Sequence, residues 1–271
     1  MKTIGWFLAL LAAYLLLCSL AFLLQRRLIY FPVGWTETEA RRGNPGYEEL
    51  RIPTSDGETL HAWLHLEKAA PWTVIVFHGN AGNLSFHEPA MAPFRALGLQ
   101  VVLFDYRGYG LSGGKPSEAG LLLDGESVVK FVETELGVPG DRIVYFGQSL
   151  GAGVATLLAA RKPPTRLILE SAFDSLGAVA RHHYPYLPVG PLLRDRYDAA
   201  AAIARVSCPV LFLHPGEDEI IPVARGRALF EKAREPKRFV LLPGARHNDS
   251  FELRMREQVE AIREFLKLPS R

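Results

Sequence analysis

Gly147-Gln148-Ser149-Leu150-Gly151 stands between the apolar run RIVYF and the apolar stretch AGVATLLAA. Glycines on both sides permit a tight turn from a strand into a helix, which lifts the serine above a sheet. The helix start beside it supplies backbone N–H donors. A hydroxyl held in this way can attack an acyl carbonyl if a base takes its proton and an acid orients the base.

On such a strand–turn–helix elbow the acid and the base follow the serine in that order along the chain. Of the eight histidines, only His182, His183, His214 and His247 come after Ser149. His247, in PGARHND, lies just past the last expected strand, where a loop can reach back over the serine. His182 and His183 fall in a segment expected to cover the site.

For the acid, Asp218 in HPGEDEIIP directly follows the run PVLFLH, at the same end of the sheet. Asp174, after RLILES, is the geometric alternative, since a loop one strand over also reaches the histidine. Glu217 and Glu219 read as solvated loop charges, and Asp249 is too close in sequence to orient His247.

An acyl-transfer intermediate carries an oxyanion, and two backbone N–H groups aimed at it contribute a few kcal/mol. Leu150, next to the serine, supplies one. The loop FHGNAGN, residues 77–83, offers the Asn80 amide as the second, with His78 as a positioning residue. That loop is not a phosphate cradle, because neither G-x-x-x-x-G-K-[ST] nor G-x-G-x-x-G is present. Arg107, in DYRGYG, is expected to serve a buried hydrogen-bonding role. No His, Cys, Asp or Glu set has the spacing of a zinc or calcium site, and no cofactor is implied.

Ser149, Asp218, His247 and the Asn80 loop need one scaffold that brings their segments to a common edge. TVIVFH, VVLFDY, RIVYFG, RLILES, PVLFLH and RFVLLP are short apolar runs without polar alternation, as in parallel strands buried on both faces. Helical stretches alternate with them, expected over 85–97, 118–136, 150–162, 222–234 and 250–267. Right-handed crossovers then give a doubly wound α/β sheet whose loops at the strand carboxyl ends form the ligand crevice. EELRIP and TLHAWLHLE, joined by TSDGE, form a hairpin ahead of it. Residues 172–206, rich in Pro and aromatics, are too long for an ordinary connection and read as a short cap.

Ahead of this domain, Ile4 to Leu24 is an uncharged run that as a helix would span roughly 30 Å, the thickness of a hydrocarbon core. Gln25, Arg26 and Arg27 end it, and Tyr30 and Trp35 suit an interfacial belt. The run is too long for a signal-peptide core and lacks a clean cleavage site. The expected organisation is a single-pass membrane anchor over 1–27, a linker over 28–46 and one domain over 47–271. Lys2 and the amino terminus oppose Arg26 and Arg27, so charge does not set the orientation. The 271 residues, 48% hydrophobic and 22% charged, suit one large α/β domain. A net charge of +2 without a basic, aromatic-interleaved cluster argues against nucleic-acid binding. Cys18 and Cys208, the only cysteines, lie in apolar surroundings and form no disulfide framework.

HGNAGN, DYRGYGLSGG, GQSLGAGVA, HPGEDEIIP and GARHND together resemble the α/β-hydrolase superfamily over residues 47–268. The apolar run followed by RRLIYFP, with ARHHYPYLPVGPLLRDRYD, resembles its small membrane-anchored branch, related to the bud-emergence proteins and the protein depalmitoylases. The resemblance implies a mostly parallel eight-stranded sheet, a Ser149/Asp218/His247 triad, and ester or thioester hydrolysis without a cofactor. His214-Pro215 departs from the His-Gly often found before the acid loop. A serine at the elbow argues against dehalogenase, epoxide hydrolase and dienelactone hydrolase chemistry, and the chain has no room for a peptidase gating domain. Tethering at a bilayer and a short apolar cap favour acyl, lipid-like substrates. An acyltransferase using the same acyl-enzyme, and a non-catalytic membrane scaffold, are the alternatives.

Overall fold

The computed structural model describes residues 2–35 and 46–269, so residues 36–45 of the expected linker lie outside the described residues. The runs expected as strands form one eight-stranded sheet. Its strands are β1 (Glu48–Pro53), β2 (Thr59–His65), β3 (Thr73–Phe77), β4 (Gln100–Phe104), β5 (Ile143–Gln148), β6 (Arg166–Glu170), β7 (Val210–Pro215) and β8 (Lys237–Leu242). Their spatial order is β8-β7-β6-β5-β3-β4-β2-β1. All neighbours from β4 to β8 pair parallel, and the β1–β2 hairpin joins antiparallel through β2 and β4.

Continuous apolar runs are needed in the inner strands because each is covered twice. β1 and the expected buried run RFVLLP of β8 lie at the sheet edges and are only partly covered. Ile75, Phe77, Tyr145, Leu167 and Phe212 point into one core with Leu121, Val128 and Leu158. Val74, Val76, Phe146, Ile168 and Leu211 point into the other with Phe94 and Ile262. The period-2 alternation of a strand thus divides two apolar sets between two helix layers, where a half-exposed strand would alternate polar residues.

Two expected crossover helices are broken. In place of one helix over 85–97, the chain makes short turns at Leu84–His87, Glu88–Met91 and Ala92–Ala96. Pro89 and Pro93 remove amide donors there and confine helix to its first turn each time. The last helix divides at Arg254 into Ser250–Leu253 and Met255–Phe265. The expected cap also divides. Leu176–His183 and Val189–Leu192 cover the crevice, whereas Ala199–Ile203 returns to the core, with Ala199, Ile203 and Tyr197 buried beneath.

The apolar run forms a helix, α1 (Lys2–Ile29), which ends two residues beyond the expected anchor. Its Thr3–Ile29 stretch, mean hydropathy 2.6 over its most apolar window, is long and apolar enough to cross a membrane. Its last turns do not project freely. Gln25 is buried, donating through Nε2 to the Leu192 carbonyl at 3.0 Å and accepting from Arg194 N–H at 2.7 Å. Arg26 pairs with Asp195 at 3.1 Å. Tyr30 and Trp35, expected in an interfacial belt, instead turn inward. Tyr30 is buried against Asp195 and Tyr197, and Trp35 meets His61 and Trp63 edge-on. A tyrosine hydroxyl with two buried partners gains more there than at a wet interface.

Candidate active site

β5 leads to Ser149, whose φ of 54° and ψ of −119° place a non-glycine residue in a strained conformation at the head of the helix α2 (Leu150–Ala159). Such an outlier persists only where the surroundings over-determine it. The two elbow glycines do so. A Cβ on Gly147 would strike Gly151 and Ala152 backbone, and one on Gly151 would strike the Phe77 and His78 carbonyls. The Ser149 N–H donates to the Glu170 carbonyl at 3.0 Å, tying the elbow to β6.

His247, in the loop after β8, brings Nε2 to 3.0 Å from Ser149 Oγ. Its Nδ1 lies 2.9 Å from both carboxylate oxygens of Asp218, in the loop after β7. A carboxylate only accepts, so Nδ1 carries the proton, Nε2 presents its lone pair, and the serine hydroxyl donates to it. All three residues are buried, at 8% exposure for Ser149 and 6% for each of the others. Burial opposes ionisation of Asp218. The His247 contact and the Ile221 N–H nevertheless bring its carboxyl below the usual range. Asp174, the alternative acid, pairs with Arg225 at 3.3 Å and does not meet His247. Asp249 accepts from the Arg246 N–H, a local turn contact.

Leu150 opens α2, where backbone N–H groups have no intrahelical acceptor. Asn80 lines the same cavity as Ser149 and Leu150. Its preceding peptide is set by His78, whose Nδ1 donates to the Gly79 carbonyl at 2.7 Å. A trans peptide points its N–H opposite its carbonyl, so this bond also aims the Asn80 N–H. The Asn80 carbonyl accepts from Phe31 N–H at 2.9 Å and from the Tyr109 hydroxyl at 2.8 Å. Its side-chain amide donates at 3.0 Å to the Ile29 carbonyl, one of the orphan acceptors at the end of α1. Phe31–Pro32 also pairs parallel with Ala81–Gly82.

The cavity of about 210 Å³ above Ser149 is walled by apolar side chains of the cap and of α1. Among its described lining residues there is no carboxylate. His182 and His183 end the cap helix, and His183 Nε2 donates to the Ile220 carbonyl at 2.8 Å. Arg107 lies outside the cavity, paired with buried Asp124 at 2.8 Å and exposed Asp56 at 2.8 Å. Burial pushes the Asp124 carboxyl up to about 6 despite Arg107. Among the described residues no metal-binding cluster occurs.

Sequence reasoning missed Glu170. It ends β6 fully buried, accepts from Ser250 Oγ at 2.5 Å, and is pushed up to about 7 by burial. A glutamate closing the apolar run RLILE was the visible signal. Sequence reasoning also missed Gln25, Leu28 and Ile29 as cavity residues, because nothing in an apolar run marks which face meets a cleft.

Residues 68–184 match the hydrolase family described as serine aminopeptidase, S33. An uncharacterised protein of Mycobacterium tuberculosis is 42% identical over 244 residues, covering 89% of this chain and 87% of that one. Protein bem46 of Schizosaccharomyces pombe is 32% identical over 255 residues, covering 89% and 85%. An esterase of Pyrococcus furiosus shares the fold at TM-score 0.68 and 22% identity, over 88% of this chain and 97% of that one. With relatives at these identities aligned along nearly the whole domain, the chain belongs to the bud-emergence-like branch of the α/β hydrolases.

Proposed function

We propose that the protein is a membrane-anchored serine hydrolase that cleaves carboxylic ester or thioester bonds of acyl, lipid-like substrates. The observation that carries this reading is the hydrogen-bonded relay from Ser149 Oγ through His247 to Asp218 beneath an apolar cavity. His247 accepts the Ser149 proton as Oγ attacks the acyl carbonyl. Asp218 stabilises the imidazolium, and the Leu150 and Asn80 N–H groups receive the oxyanion. The proton then passes from His247 to the leaving alcohol or thiol. Water, activated by the same imidazole, releases the acid from the acyl-enzyme.

The family name includes aminopeptidase, which would need an acceptor for a substrate ammonium. The absence of a carboxylate among the described cavity residues favours an uncharged acyl group instead. The apolar α1 supports anchoring, since an uncharged span of its length satisfies its backbone within a bilayer. A p-nitrophenyl ester series on the full chain, with Ser149→Ala alongside, tests the reading. Turnover confined to the unsubstituted protein is expected. Its absence on every ester and thioester, with the fold intact, would remove the hydrolase assignment.

A further inference from the structure

The cavity above Ser149 is not enclosed by the cap alone. Ala21, Gln25, Leu28 and Ile29, along about 12 Å of α1, form one wall, and Leu176, Val179 and Leu192 form part of the other. We infer that the end of the membrane-spanning helix is part of the substrate site. A bilayer-resident acyl ester or thioester would reach Ser149 by sliding its chain along this helix face, without leaving the membrane. This rests on the serine-hydrolase reading and adds the source and path of the substrate.

Length places the cavity at the membrane boundary. Thr3–Ile29 is 27 residues, about 40 Å as a helix against a hydrocarbon core of ~30 Å. The excess, about two turns, is the stretch that lines the cavity. Ala21 thus belongs to the hydrocarbon end of the wall, and Leu28 and Ile29 to the end beside Ser149. Leu28, Tyr184 and Ile220, which line the cavity, are also exposed, so it reaches the surface where the helix leaves the domain.

A second contact extends this geometry. The Tyr14 hydroxyl donates to the Tyr186 carbonyl at 2.9 Å, and Tyr14 lies about 16 Å along the helix from Gln25. The cap loop therefore runs beside the apolar span, with Tyr184 and Tyr186 exposed. With α1 across a bilayer, that loop is immersed, and Tyr14 and Tyr186 satisfy each other where no water can. Cys18, Ala21, Phe22 and Gln25 are the turned-in residues between these contacts, at helical spacing, and Arg194 lies over Phe22 at 4.1 Å. Leu23 and Leu24 on the other side face outward.

Full-length protein in phosphatidylcholine vesicles, given p-nitrophenyl butyrate and p-nitrophenyl laurate, tests the path. Ala21→Trp fills the membrane end of the cavity. Removing room for two methylenes should lower the laurate-to-butyrate ratio of kcat/KM about fifteenfold. Val179→Trp, from the cap side, should lower it in the same direction and decides the matter if Ala21→Trp does not fold. Leu23→Trp, on the lipid-facing side, should leave the ratio as it was. An unchanged ratio in the folded cavity variants, or an equal fall in Leu23→Trp, would overturn the path while leaving the hydrolase reading standing. A wild type inert toward both esters would remove the hydrolase reading itself.

Discussion

Ser149, Asp218 and His247 stand on loops at the carboxyl ends of β5, β7 and β8, held by the register of one parallel sheet. The opposite wall of the cleft has a different construction. There Asn80 is pinned to Ile29 and Phe31, and the cap is pinned to Gln25, Arg26 and Tyr30. The first wall is supported by two buried cores. The second is joined by a few hydrogen bonds, one two-residue strand pairing and one ion pair between segments from different parts of the chain. Such contacts contribute about 1 kcal/mol each, so this wall is the adjustable one. In the proposed mechanism the nucleophile, base and acid thus stand on the stiff wall, while the Asn80 oxyanion donor and the fit to the acyl group belong to the wall that the helix completes.

Changes to the stiff wall should have the largest effects. Ser149→Ala should lower ester turnover by roughly 10⁶-fold with little change in melting temperature, read by parallel kinetics and thermal unfolding. Asp218→Asn, with its carbonyl oxygen held by the Ile220 and Ile221 N–H groups, should remove the negative charge and turn an NH2 toward His247 Nδ1, favouring the wrong tautomer and reducing kcat by about 10⁴-fold. Asp174→Asn, at the alternative acid, should change kcat by less than about twofold, since its half-buried pair with Arg225 makes no contact with His247. Equal losses in the two aspartate variants would break the assignment of the acid to the loop after β7.

Glu170 sharpens the comparison through pH. Its carboxyl is raised from 4.5 to about 7, so the folded protein holds that proton more tightly than the unfolded chain. The stabilisation is complete below pH 4.5 and is lost as pH rises through 7. Glu170→Gln should therefore match wild-type stability near pH 4.5 and exceed it by about 3 kcal/mol above pH 7, measured by denaturant unfolding at both values. On the adjustable wall, Asn80→Ala keeps the backbone N–H but loses the link to Ile29. A fall in kcat of about fivefold with KM unchanged is expected. A fall of a thousandfold would mean that this single link, and not the other contacts of the loop, holds Asn80 in place.

Several features were legible in the chain alone, because they are local or depend on order. Gly147 and Gly151 mark the elbow since no side chain fits there, and apolar runs of five or six residues mark strands covered on both faces. Chain order after Ser149 singled out His247, and proximity to a strand end favoured Asp218. The prolines at 89 and 93 were equally visible, and their effect on the first crossover follows from the missing amides. By contrast, the choice between Asp174 and Asp218 depended on which loop tip comes within 3 Å of an imidazole, and spacing in sequence carries no such distance.

The division of the cap at Ala199 and the inward turn of Tyr30 and Trp35 were likewise decided only in three dimensions. Composition says that an aromatic or apolar residue will be covered, not by what. The same holds for α1. An uncharged run of bilayer length gives, from sequence, a helix long and apolar enough to cross a membrane with its backbone satisfied internally. That one face of its last turns closes the cavity over Ser149 follows only from how Gln25, Arg26 and Tyr30 meet Leu192, Arg194 and Asp195, more than 160 residues away. Local chemistry is written in neighbouring residues. A wall shared by distant segments exists only once the sheet has brought them together.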